Sequence, residues 1–418
     1  MNKNEKTALV PRLRFPEFVI NDAIDFEPGD VIFEPINNKN HNSDLPILAI
    51  TQEYGAIPRD QIDYNVSVTD KSLESYKVVE IGDFIISLRS FQGGIEYSLY
   101  HGICSPAYII LRKRVPIVEQ YYKHYFKTSK FIQDLNKDLE GIRDGKMVSY
   151  GQFSAIMIPK PDNKEQQKIA DCLSSLDELI AAENKKLEAL KAHKKGLMQK
   201  LFPAEGKTVP QLRFEGYTGA WEQRKLGEIF NTIRNAFVGT ATPYYVDKDG
   251  HFYLESNNVK DGEINRNKEV FINEEFYMRQ KDKWLHEGDL VMVQSGHVGH
   301  TAVIPKELNA TAAHALIMFQ NPKEELNPHF TNYVLQSNTS KKQLDNITKG
   351  NIIKHILASD MKEFTIMMTN EPEQTAISAF FLNLDTLMTE QAKKIEALKT
   401  HKKGLMQGLF PSIDEVRK

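Results

Sequence analysis

Residues 193–199 read HKKGLMQ, and residues 401–407 read HKKGLMQ again. The match is wider than these letters. Residues 165–203 align with 373–411 at an offset of 208, with 22 identities in 39 positions. A shorter match, VPRLRF at 10–15 against VPQLRF at 209–214, runs at an offset of 199. The chain therefore holds two copies of one plan, each a domain followed by the same segment. A period this long excludes a solenoid, whose repeats run to tens of residues.

The repeated segment reads as a long helix. Asp162 and Asn370 stand where N-caps belong, with Glu165 and Glu373 three positions on, as in a capping box. Pro203 and Pro411 end the two runs. About 37 residues at roughly 1.5 Å each make a rod on the order of 55 Å long. Its apolar period is a heptad. After Ile169 and Leu173, the first seam continues Leu176, Ile180, Glu183, Leu187, Leu190, Lys194, Leu197, Leu201. After Ile377 and Phe381, the second continues Leu384, Met388, Gln391, Ile395, Leu398, Lys402, Leu405, Leu409. Two such seams predict that the helices pair as a coiled coil. A parallel pair would set Lys194 against Lys402 in an apolar seam, so an antiparallel pair is expected. The expected register puts Glu183 opposite Lys402 and Lys194 opposite Gln391, with apolar layers from Leu176–Leu409 to Leu201–Leu384.

The fold class expected is α+β: two α/β domains separated by two long helices in an antiparallel coiled coil, with internal pseudo-two-fold symmetry. The expected bounds are 1–161 for the first domain, 162–203 for its helix, 204–369 for the second domain and 370–418 for the second helix. Both domains show a Gly-Asp turn (Gly82-Asp83, Gly288-Asp289) feeding an apolar strand, then a small polar loop: RSFQGG at 89–94 and SGHVGH at 295–300. A glycine-rich polar segment follows later in each, at 141–153 and 348–360. The shared order with divergent loops is what two different ligands on one scaffold require.

Composition excludes several classes. With 41% hydrophobic and 26% charged residues the chain is an ordinary globular one, without an apolar run long enough for a membrane span or an apolar leader. It is expected to be cytoplasmic. Two cysteines, Cys104 and Cys172, give no disulfide framework. The 53 basic and 56 acidic side chains leave nucleic acid open, since a DNA reader needs local rather than total positive charge. No catalytic or metal site is read. GIRDGKMVS departs from a Walker A in its glycine spacing and in Met147. NPHF at 327–330 has His329 where an amino-methyltransferase motif has proline, and His297 and His300 lack a third ligand.

Two divergent α/β heads alternating with two near-identical helices that each end HKKGLMQ-LFP resemble the specificity subunit of type I restriction-modification systems. The entries LRFPEF and LRFEGYTGAWEQRKLGEI and the stretch GDFIISLRSFQGG…SPAY also resemble that family. The junctions PKPDNKEQQKIA and TNEPEQTAI depart from its proline-richer form. The resemblance implies two target-recognition domains, each reading half of a bipartite double-stranded DNA target, with the coiled coil setting the spacer. It implies docking of two methyltransferase (M) subunits and recruitment of restriction/translocase (R) subunits. Methyl donor, ATP and magnesium belong to those partners, so this chain carries no cofactor. Base readout needs polar side chains at loop tips. In the first head the candidates are Arg89, Ser90, Gln92, Gly93, Arg143 and Lys146. In the second they are Gln294, Ser295, His297, His300, Lys349, Asn351 and Lys354. Gly93, Gly94, Gly296 and Gly299 would admit close backbone approach. The competing reading is a two-headed adaptor that binds no DNA; salt-dependent DNA binding separates the two.

Overall fold

A computed structural model describes residues 10–20, 23–42, 44–62, 73–137, 148–348 and 355–411. They form two compact units, one from the residues up to Lys185 together with those from Lys393 on, the other spanning Lys186–Ala392.

In the first unit, the strands Phe33–Ile36, Ile109–Lys113, Phe84–Ile86 and Glu96–Tyr97 make an antiparallel sheet in that order. Helices Glu119–Tyr125 and Ser129–Asn136 supply the rings that cover it. Phe33 meets Phe84 and Tyr122 edge-on at 5.3 Å, the arrangement that ring quadrupoles favour. The second unit repeats this order with Phe230–Asn235, Leu316–Pro322, Leu290–Val293 and Thr301–Val303. It adds a second four-stranded sheet, from Tyr245–Val246, Val270–Ile272, His251–Glu255 and Ala312–His314, around an aromatic cluster of its own.

The Gly-Asp turns have one cause in both units. Gly82 and Gly288 take the left-handed conformation (φ 97° and 84°) that the turn needs. The following carboxylate closes it: Asp83 Oδ2 accepts from Glu80 N and Asp289 Oδ2 from His286 N, each at 2.8 Å. Asp83 is then held by both arms of Arg112, at 2.7 Å each, and Asp289 by Gln320 at 2.6 Å.

The long helices span Asn163–Leu201 and Glu371–Leu409. Asp162 and Asn370 cap them as expected, each accepting from the backbone of the glutamate three positions on at 3.0 Å. The glutamates themselves do not complete a capping box. Glu165 binds Arg14 through two bonds of 2.7 and 2.8 Å, and Glu373 binds Arg213 through two of 2.7 Å. Both carboxylates are buried, which makes a charge-assisted bidentate partner necessary. The neighbouring leucines secure the opposite helix ends. Leu13 N donates to Gly408 O, and Leu212 N to Lys200 O, at 2.9 Å. The short repeat thus joins, within each unit, the start of one long helix to the end of the other.

Every seam position from Ile169 to Leu201 and from Ile377 to Leu409 is buried or half-buried. Within each unit the helices run antiparallel, but the expected register is wrong. Lys402 Nζ meets Asp177 at 2.5 Å, not Glu183, and Glu183 takes Lys394 at 2.5 Å. Lys194 Nζ meets Asp385 at 2.5 Å, not Gln391. Ile169 and Leu173 share a cluster with Leu405 and Leu409, while Leu197 and Leu201 pack with Ile377 and Phe381. The layers Leu176–Leu409 and Leu201–Leu384 therefore give way to a pairing about one heptad away. Two forces set it. Lys402 keeps a carboxylate partner and Lys194 exchanges the neutral Gln391 for Asp385, a better partner for a half-buried ammonium. The helix ends are also anchored in the domain cores, Phe202 stacking on Phe381 (5.9 Å, 13°) and Phe410 lying 5.1 Å from Tyr121.

The two aspartates each receive a third group from the domain. Tyr333 OH donates to Asp385 at 2.6 Å, under the Lys194 ammonium 5.2 Å from its ring. In the first unit the corresponding group is His124, 3.8 Å from Asp177 and 3.2 Å from Ser174 Oγ. Burial, with the Lys402 and Lys123 ammoniums, outweighs Asp177 and pushes this imidazole down to about 3. Between that value and its ordinary 6.5 the unfolded chain takes up a proton that the folded one refuses. His124 should therefore destabilise the first unit as pH falls through this window, by at most about 1.4 kcal/mol per pH unit. His124→Tyr, which copies the second unit, should flatten the dependence; urea midpoints from pH 7 to 4.5 measure it, and parallel curves for the two proteins would refute it.

Candidate nucleic-acid interface

In the first unit the strand Phe84–Ile86 opens into a loop that closes with a helical turn, Ser90–Gly93. Its backbone is secured from outside. Lys127 Nζ donates to Gly93 O at 3.0 Å, Asn136 to Phe91 O at 2.7 Å, and Gln52 to Arg89 O at 3.3 Å. Lys127 also meets the buried Glu96 at 2.5 Å. Burial raises this carboxyl and lowers the lysine, so each is held charged chiefly by the other. Arg89 and Gln92 are left exposed on a fixed turn, as a reading element requires, and Leu88, which sequence reasoning passed over, is 49% exposed beside them.

Ser90 is a correction. It is buried, and its Oγ accepts from Ser87 N at 2.9 Å, so it shapes the loop and cannot reach a base. The two glycines also serve the chain itself. A Cβ on Gly94 would lie 2.0 Å from Phe126 O, and one on Gly93 would lie 2.6 Å from the Gln52 side chain.

In the second unit the strand Leu290–Val293 runs into the loop 294–300. Gln294 is half-buried: its Oε1 is covered, without a hydrogen-bond partner among the described residues, and its carbonyl accepts from Ile356 N at 3.0 Å. Ser295 is half-buried and bridged to His355 through the backbone. Gly296 (φ 80°) has open space around it, and His297 beside it is exposed. Gly299 closes the loop, its N–H donating to Val293 O at 3.1 Å. His300 Nδ1 accepts from Asp261 N at 3.2 Å, which leaves the proton on Nε2. Burial lowers its pKa, so His300 is a neutral imidazole with a single N–H to offer. The loops thus bring Arg89 with Gln92, and His297 with His300, to the ends of corresponding strands. Arg143, Lys146, Lys349, Asn351 and Lys354 lie outside the described residues.

NPHF proves to be a helix start. Asn327 caps Pro328–Gln336 by accepting from Phe330 N at 3.1 Å, Pro328 occupies the first turn, and His329 is half-buried.

Residues 17–192 and 219–400 each match the model of the type I restriction modification DNA specificity domain. The chain belongs to this family. Two curated relatives are both from Methanocaldococcus jannaschii. The type I restriction enzyme MjaVIII specificity subunit is 25% identical over 82% of this chain and 81% of its own length. The putative type I restriction enzyme MjaX specificity subunit is 24% identical over 84% of this chain and 82% of its own. The solved type I restriction-modification S subunit of M. genitalium has the same fold, with a TM-score of 0.57 at 15% identity over 97% of this chain and 100% of that one. As a type I specificity subunit, the chain has both target-recognition domains and the two helices of the family plan. Among its described residues no helix is long and apolar enough to cross a membrane.

Proposed function

We propose that this chain reads a bipartite double-stranded DNA target, one half with each unit, for a cytoplasmic type I complex. The paired helices set the unread spacer and dock two M subunits, and R subunits join the assembly. The chain itself is non-catalytic. Arg89 and Gln92 read one half, and His297 and His300 the other, by hydrogen bonds to base edges.

One observation carries the docking. The helices agree not only in the seam but on their solvent side. Lys185, Ala189, His193, Lys195 and Gln199 are exposed, as are their identical counterparts Lys393, Ala397, His401, Lys403 and Gln407. Packing within the chain gives no reason for an exposed alanine or glutamine to match, whereas two copies of one partner do. Gly196 and Gly404 sharpen the point. Each lies inside a long helix, where glycine costs about 1 kcal/mol against alanine. A Cβ at either would meet nothing within 4 Å, so nothing among the described residues requires them. A partner backbone in close approach does. Leucine at both positions should leave the chain as stable or slightly more so, while abolishing its co-purification with the host M subunits. Undiminished capture of those subunits would remove the glycines from the docking face.

The function as a whole is tested by mapping modified bases in the source genome with and without the gene. A bipartite methylated motif should vanish on deletion; an unchanged map in cells whose M subunits are active would refute the reading.

A further inference from the structure

In each unit a β-hairpin presses its tip against the loop assigned to base reading. In the first, Leu48–Thr51 pairs with Gly55–Pro58, and the turn residue Gln52 donates to Arg89 O at 3.3 Å. In the second, Val259–Lys260 pairs with Glu263–Ile264, and Asp261 N donates to His300 Nδ1 at 3.2 Å. Both hairpins are joined to the end strand of the main sheet by a parallel bridge, Ala56 to Ser98 and Gly262 to Ala302.

The tips are fixed. Tyr54 N donates to Thr51 Oγ1 at 3.0 Å, and Gly55 (φ 71°) packs so closely that a Cβ would lie 2.8 Å from Tyr97 O. In the second unit Asp261 itself takes a positive φ of 53°, and Gly262 O accepts from Asn332 at 2.9 Å. What each tip presents is nonetheless exposed and different: Gln52, Glu53 and Tyr54, the last 59% exposed, against Lys260 and Asp261. A rigid support with a divergent, solvent-facing tip repeats the logic of the loops themselves.

We propose that the hairpin tips are a second reading element, Glu53 and Tyr54 contacting one half-site and Lys260 the other. This rests on the DNA-reading function proposed above. Glu53 is an acceptor suited to a cytosine amino group, Tyr54 a donor with an apolar ring face, and Lys260 a donor suited to guanine or phosphate.

The test uses the full chain at its own chromosomal locus. Strains carrying Glu53→Ala with Tyr54→Ala, or Lys260→Ala, are compared with wild type and with the gene deletion by modified-base mapping. Each variant should lower discrimination about 5- to 100-fold at one or more positions, the two variants acting in different halves of the motif. Motifs and methylation levels left intact in both variants, with the motif lost on deletion, would overturn the hairpins' role and leave the wider function standing. Changes of both variants in the same half would overturn it too. A map that deletion leaves unchanged would overturn the function and the hairpin role together.

Discussion

Phe410→Ala, near the C-terminal end of the chain, is expected to destabilise the unit built from its N-terminal half. The ring is 6% exposed, 5.1 Å from that of Tyr121 and 5.6 Å from that of Tyr125, within the cluster that includes Phe33, Phe84 and Phe126. Truncating a buried phenylalanine costs about 3–5 kcal/mol, from lost transfer energy and the cavity left behind. Hydrogen exchange resolved by segment gives the locality. Protection should fall in Phe84–Ile86 and Ile109–Lys113 and hold in Leu290–Val293 and Leu316–Pro322. Phe202→Ala should do the reverse, because that ring packs 6.0 Å from both Trp221 and Phe330. Loss of protection confined to residues 393–411 would mean that Phe410 is only a helix end.

The same two rings explain which parts of the fold could be read from sequence. The helices announce themselves because a heptad is a local periodicity, visible wherever it occurs. Their register is not local. It depends on Phe202 and Phe410 finding cores made by distant segments, and on Asp177 and Asp385, which flank the seam rather than lie in it and so fall outside the heptad pattern. The VPxLRF repeat was visible as a repeat, but its role was not, since Arg14 and Glu165 are 151 positions apart. The reading loops were legible as far as strand order carries. Arg89 and His297 sit at exposed tips as their polarity suggested, whereas Ser90 turns inward. A hydroxyl serves a loop's own backbone as readily as a ligand, and only the backbone path decides between them. Asp261-Gly262 is itself a two-residue hairpin turn of a common kind, but the contact of each hairpin with its loop gave no sequence signal, because it is one hydrogen bond between segments far apart in the chain.

Glu373→Ala should destabilise the second unit by about 3–5 kcal/mol, the usual cost of removing one partner from a buried pair. The Glu373 side chain is fully buried and that of Arg213 is 13% exposed. Without the carboxylate the guanidinium keeps, among the described residues, only the Gly219 carbonyl, at 2.5 Å, and a largely desolvated charge. Replacing both partners, Arg213→Met with Glu373→Leu, should recover much of the loss, since apolar groups of similar volume carry no stranded charge. The chain supplies its own reporter: its two tryptophans, Trp221 and Trp284, both belong to the second unit. Tryptophan fluorescence in urea should therefore shift to lower midpoint in Glu373→Ala and return toward wild type in the double variant. Glu165→Ala, which removes the buried carboxylate that Arg14 binds, should leave that transition in place and shift one followed by far-ultraviolet circular dichroism. If Glu165→Ala moved the tryptophan transition as far as Glu373→Ala does, the two units would unfold as one, and the ion pairs would be parts of a single cooperative structure.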